Sequence, residues 1–129
     1  CNLCHLDRSL EWTLATLKTG WGLARAREPA WAAAYGGRLD APLGPVWLSS
    51  PVPINRLVAA DAYSRSPLGR RELTRMIRAL VDPVAVNRMF ALFALERVLG
   101  RRLSSEEYAP TAPPAQRATQ VRQLLETLR

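Results

Sequence analysis

Ten prolines divide this chain into stretches that can be helical and stretches that cannot. Proline locks φ and lacks an N–H, so it suits first helical turns, tight turns and connectors and breaks helix interiors. Pro29, Gly36, Gly37, Pro42, Gly44, Pro45, Pro51 and Pro53 crowd residues 28–53, which predicts a connector crossed by no long helix. Outside it Ala and Leu dominate, β-branched runs are short and nothing alternates with the strand period, so the predicted fold class is all-α.

The predicted helices follow from the apolar spacing. Residues 9–19 form the first, with Leu10, Leu14, Leu17 and Trp21 near one face, Asp7 or Ser9 as cap and Glu11 at the positive end, before Gly20 and Gly22 weaken it. A short helix over residues 30–35 fits inside the connector, where Trp31, Tyr35 and Trp47 serve as anchors. Pro53 opens a helix over 54–63, and Ser66-Pro67-Leu68-Gly69 reads as a turn. Residues 70–80 place Leu73, Met76, Ile77 and Leu80 on one face. Asp82-Pro83 stops that helix, with Asp82 capping the next and Pro83 at its first position, and the new helix runs through Val86, Met89, Phe90, Phe93 and Leu95 to Gly100. Because residues 89–95 are apolar nearly all round, this helix is expected to be central and buried. A connector at 109–114 leads to a last amphipathic helix at 115–128 carrying Val121, Leu124, Leu125 and Leu128. Two segments result, 1–52 and 53–129, expected to pack as one unit.

Composition bounds the function. At 129 residues, 48% apolar and 22% charged, the chain can bury one core without disulfide staples. No apolar run approaches the roughly 18 to 20 residues of a membrane helix, so no span is expected. The chain starts with Cys1 and not Met, which suggests a processed precursor or part of a longer chain. A net charge of +7 invites a nucleic-acid reading, but the arginines are scattered from Arg8 to Arg129 without a dense tract, a stacking-aromatic motif or zinc-finger spacing. Acidic partners or anionic surfaces fit better. No nucleophile–base set is visible, so no bond chemistry is expected of the chain itself.

The strongest chemical signal is Cys1-Asn2-Leu3-Cys4-His5, which uses both cysteines and the single histidine of the chain. In a C-x-x-C-H run two thiols three positions apart can reach the two vinyl groups of one haem, and the imidazole after them faces the iron. A thioredoxin-type site would want a βαβ unit beside it, and a structural zinc site a fourth ligand, and neither is in sight. A lipid-anchored reading stays open: a mature bacterial lipoprotein also starts with an acylated cysteine, and acylation would compete for the Cys1 sulfur. Met76 and Met89, the two thioethers, sit on apolar helical faces where core packing is the ordinary role, so neither is assigned as distal ligand.

The longer run Cys1-Asn2-Leu3-Cys4-His5-Leu6-Asp7-Arg8-Ser9-Leu10-Glu11-Trp12-Thr13 resembles the last haem-binding segment of large bacterial multihaem c-type cytochromes, in which a HEAT-like helical region follows. Leu80-Val81-Asp82-Pro83-Val84-Ala85-Val86-Asn87-Arg88 and Pro113-Pro114-Ala115-Gln116-Arg117 look like that region, while the connector is weakly matched. The resemblance implies one haem c attached at Cys1 and Cys4 with His5 as proximal iron ligand and an unassigned distal side. It further implies an exported, periplasmic setting and single-electron transfer with a redox protein or a membrane electron-transfer complex, whose docking surface the charge predicts to be acidic. The chain departs from the family in having one motif and no second histidine, so a bis-histidine site cannot be completed from its own residues. The rival from another class is a non-haem helical scaffold, lipidated at Cys1, that docks on a membrane complex.

Overall fold

Ser9 opens the first helix by accepting the Trp12 N–H on its hydroxyl at 3.1 Å. The computed structural model describes residues 1–26, 29–35 and 37–128, and α1 (Leu10–Trp21) is the first of its helices. Gly20 is carried inside α1. The stop comes at Gly22, whose φ of 66° is left-handed, with Gly22 N–H bonded to Lys18 O as in an αL end and Leu23 N–H reaching Leu17 O. Trp21 does not join the buried face with Leu10 and stands exposed at the helix end.

The connector holds two short helices where one was expected, α2 (Pro29–Ala34) and α3 (Leu43–Leu48). Pro45 lies in the first turn of α3, where an N–H has no intrahelical partner to lose. Gly44 is there for closeness: a Cβ on it would overlap the hydroxyl of Tyr63. Tyr63 is pinched a second time by Gly69, where a Cβ would stand 2.6 Å from Tyr63 O and 2.8 Å from Val98 Cγ2.

Proline starts α4 (Pro53–Ser64). The single helix expected over 70–80 is divided into α5 (Leu68–Arg71), α6 (Leu73–Arg78) and a 3-10 turn, Ala79–Val81. Glu72 makes the division by leaving helical geometry at φ −102° and ψ 17°, and α6 then turns Met76 and Ile77 into the core. Next comes α7 (Ala85–Leu99), which follows an extended Val84 without a side-chain capping bond and is closed by Gly100 at φ 71°. Asp82 does not cap it, nor is Pro83 its first residue. Instead Asp82 Oδ1 accepts the N–H of Val84 at 2.8 Å, one step before the helix. Finally α8 (Pro114–Thr127) starts on proline.

Among the described residues the structure is all-α, with no strand. Helix α7 packs against α4, α6 and the 3-10 turn, and α8 covers α6 and that turn. Leu6, Tyr63, Met76, Leu80, Leu95 and Tyr108 share one buried cluster, so the N-terminal segment enters the same core as the C-terminal helices. Helices α4 and α7 run in the same direction. At one end Asn87 Nδ2 donates to Pro53 O at 2.8 Å, and at the other Arg97 Nη1 donates to Ser64 Oγ at 2.8 Å.

One expectation needs correcting. Helix α7 is central, and Asn87, Arg88, Ala91, Ala94, Leu95, Glu96 and Val98 are buried with Leu92 and Leu99 partly so against the core. Its other side leaves Val86, Met89, Phe90 and Phe93 between 43 and 48% exposed. An all-round apolar composition carries no periodic signal, so it could not show that one face stays uncovered.

Candidate functional site

The carbonyl of Cys1 accepts the N–H groups of Cys4 and His5, both at 3.0 Å, which winds residues 1–5 into one helical turn. Residues three and four apart on such a turn are neighbours. Cys1 and Cys4 are exposed free thiols, and His5 is exposed beside them. The His5 ring packs 5.1 Å from the Trp12 ring, tilted by 55°, and the Arg8 guanidinium lies 5.5 Å from the centroid of the same indole.

Asn2 within the motif and Leu6 just after it face inward and hold the turn in place, while Leu3 is exposed with the motif residues. Asn2 is buried and accepts the Thr13 hydroxyl on Oδ1 at 2.7 Å, while its amide nitrogen donates to Arg8 O and Ser9 O at 3.4 Å. Leu6 is fully buried, its carbonyl accepts Gly44 N–H and that of Arg8 accepts Leu43 N–H, both at 2.9 Å. A buried amide without these bonds would cost about 1–3 kcal/mol, so the anchoring is directional as well as apolar.

This donor set suits a large group reached from outside. Among the described residues no three or more His, Cys, Asp or Glu side chains are placed to hold a metal ion together. Two free thiols and an accessible imidazole on one turn are the groups that a covalently attached haem uses, so the residues present fit it. Of the two methionines, Met76 is buried in the core, whereas Met89 is exposed on α7 and does not pack in the interior.

A second polar constellation is structural. Asp82, nearly buried, receives Arg56 Nε at 2.5 Å and Nη2 at 3.1 Å, and Asn87 Nδ2 at 3.2 Å. Burial pushes its carboxyl upward, but the bonds from Arg56, the Val84 N–H and Asn87, with the charge of Arg56, outweigh that and hold it below the usual carboxylate range. Arg88 ties the same corner to the next loop by donating to Asp82 O at 2.9 Å, Pro83 O at 3.0 Å and Pro110 O at 3.1 Å. Beside this corner a cleft of about 320 Å³ opens between α3, α4 and α6, with Arg56, Arg75 and Arg78 in its lining. Farther on, Ser104 and Glu107 form a reciprocal capping box: Ser104 N–H donates to Glu107 Oε2 at 2.9 Å and Glu107 N–H to Ser104 Oγ at 3.2 Å.

Three side chains around the motif had no role in the sequence reading. Trp12 stood in the quoted run without a part to play, and Asn2 and Thr13 give no periodic signal, since a polar pair eleven residues apart is visible only once folded. Trp31 and Tyr35 line a concavity against α1 with Leu10, Leu14 and Leu17, and Tyr35 packs 5.9 Å from Trp47, so the connector aromatics do anchor it.

Comparison of the chain with protein families, with characterised proteins and with solved structures finds no match. No helix among the described residues is long and apolar enough to cross a membrane.

Proposed function

We propose that the chain is a c-type cytochrome domain that carries single electrons through one haem c in an exported, periplasmic electron-transfer assembly. The observation that carries this reading is the outward-facing turn in which Cys1, Cys4 and His5 are all exposed while Asn2 and Leu6 are buried. Cys1 and Cys4 would hold the group through thioether bonds and His5 would ligate the iron, and the haem supplies one-electron redox chemistry when bound. Trp12 packs on the His5 ring and limits its rotation, and Asn2 and Leu6 fix the backbone from which both thiols project. Arg8 is paired with the equally exposed Asp7 at 3.5 Å, so the acidic docking surface of a redox protein or membrane electron-transfer complex follows from the +7 charge of the whole chain and not from this residue. The resemblance to the C-terminal part of multihaem cytochromes, with its HEAT-like helices, agrees with this reading.

The test is expression of the exported chain alongside a c-type cytochrome maturation system. Intact mass should rise by one haem, with a Soret band that stays with the polypeptide after denaturation, and Cys4→Ala should weaken or abolish the attachment. A mass fitting the bare polypeptide would overturn the cytochrome reading, and one fitting an acylated chain would put the Cys1-lipidated scaffold in its place.

A further inference from the structure

The exposed side of α7 is an apolar stripe with a positive end. Val86, Met89, Phe90 and Phe93 follow the i, i+3, i+4, i+7 spacing that lines up side chains along one face, and Phe90 and Phe93 pack edge to face at 6.3 Å. Ile54 continues the apolar surface on α4. It stands seven residues before Asp61, on the same side of that helix, and Asp61 is the carboxylate that Arg97 of α7 meets at 3.2 Å.

Beyond Phe93 the stripe runs into a shallow concavity of about 540 Å³ lined by Phe93, Glu96, Arg97, Gly100, Arg101 and Arg102. The Arg102 guanidinium lies 6.0 Å from the Phe93 ring centroid. In its pair with Glu96 the Arg102 side chain is 80% exposed and the carboxylate 8%, so the negative partner is sunk and the positive one faces outward. Arg97 and Arg101 are likewise more exposed than Asp61 and Glu107, which pair with them. Glu96 is the only carboxylate of α7. The outward face of the helix therefore presents apolar side chains and guanidinium groups without an accessible carboxylate of its own.

We infer that this face docks an amphipathic helix of a partner protein, apolar along one stripe and acidic beside the end that meets Arg97, Arg101 and Arg102. The stripe is one helix wide and about two turns long, and a helix laid along it would reach the arginines at its end. A second copy of the chain is a poor occupant, since each carries +7 and neither α7 offers a carboxylate to answer Arg97 and Arg102. A lipid surface would cover a far broader area than this single-helix stripe. The inference does not depend on what Cys1 and Cys4 hold.

Fluorescence anisotropy with the full chain tests it, using two labelled synthetic helices that share a leucine stripe, one carrying glutamates around both ends of it and one carrying lysines there. The glutamate helix should bind about tenfold or more tightly than its lysine twin, and less tightly as salt is added. Phe90→Gln with Phe93→Gln should weaken that binding about tenfold, and Arg97→Gln with Arg102→Gln should erase the preference between the twins. Far-UV circular dichroism checks that each variant is folded, and Met89→Gln gives a milder probe of the same stripe. Equal binding of the two helices, or binding untouched by the variants, overturns the inference. So does a dimer in sedimentation equilibrium that the phenylalanine variants dissociate, or uptake by phosphatidylglycerol vesicles with neither helix bound.

Discussion

Thr13, on α1, donates its hydroxyl to the buried side-chain oxygen of Asn2 at 2.7 Å, and through this bond the helix holds the turn that carries both thiols. Thr13→Val keeps the shape and removes the donor, so an acceptor is left buried and short of a partner. The cost should be about 1–2 kcal/mol in urea unfolding. Hydrogen exchange at the amides of Cys4 and His5, which bond Cys1 O, should quicken while that of α7 does not.

Asp82→Ala should be among the most damaging single changes, because it leaves Arg56 without its carboxylate in a mostly buried position. Breaking such a pair from one side costs about 3–5 kcal/mol. The pH dependence has a definite sign. The folded carboxyl titrates below its ordinary value, so its contribution is complete above about pH 4 and is lost as pH falls through the lower folded value. Urea midpoints between neutral and strongly acid pH should therefore fall more steeply for the parent chain than for Asp82→Asn.

Gly44→Ala forces a Cβ into the ring of Tyr63 and should destabilise by about 1–3 kcal/mol. Tyr63→Phe removes the hydroxyl that the new methyl group would strike first, so a double-mutant cycle should return part of that loss. Purely additive effects would mean that the two residues do not press on each other.

Phe93 and Leu95, two positions apart on α7, should respond in opposite ways. Leu95→Ala opens a void in the core and should cost about 2–5 kcal/mol. Phe93→Gln, on the exposed face, should stay within about 0.5 kcal/mol of the parent by thermal unfolding.

Glu107 should titrate far below a normal glutamate. The Arg101 guanidinium and the Ser104 N–H hold its carboxyl down to about 2, although it lies at the surface. Carbon-detected NMR titration at low salt should find that value, and Arg101→Ala should bring the carboxyl back toward the ordinary range.

Much of the helical outline was legible because it depends on local chemistry. Ser9 caps α1 with its hydroxyl, Pro53 starts α4 and Gly100 ends α7, each by local preference, while Pro114, read as the end of a connector, is the first residue of α8. What escaped depends on distant partners. Helix α3 forms across a glycine and a proline because Gly44 lets it approach Tyr63, nineteen residues on, and nothing local announces that. The exposed face of α7 was hidden for a different reason: hydrophobicity states that a residue can be buried, and only the count of neighbouring elements decides whether it is. At the motif, spacing singled out Cys1, Cys4 and His5, which the fold sets on one exposed turn, but the residues that hold that turn depend on the tertiary bond between Asn2 and Thr13.

The burial of Asn2 and Leu6 beside an exposed Cys1, Cys4 and His5 means that reactivity and attachment are separately mutable. Asn2 and Leu6 do the anchoring, and the outward trio does none of it through buried side chains. A chain that exchanged both thiols and the imidazole for inert groups would keep every interior contact of this segment. Such a relative would retain the architecture with no trace of the chemistry, so shared shape alone could never certify that the chemistry is present.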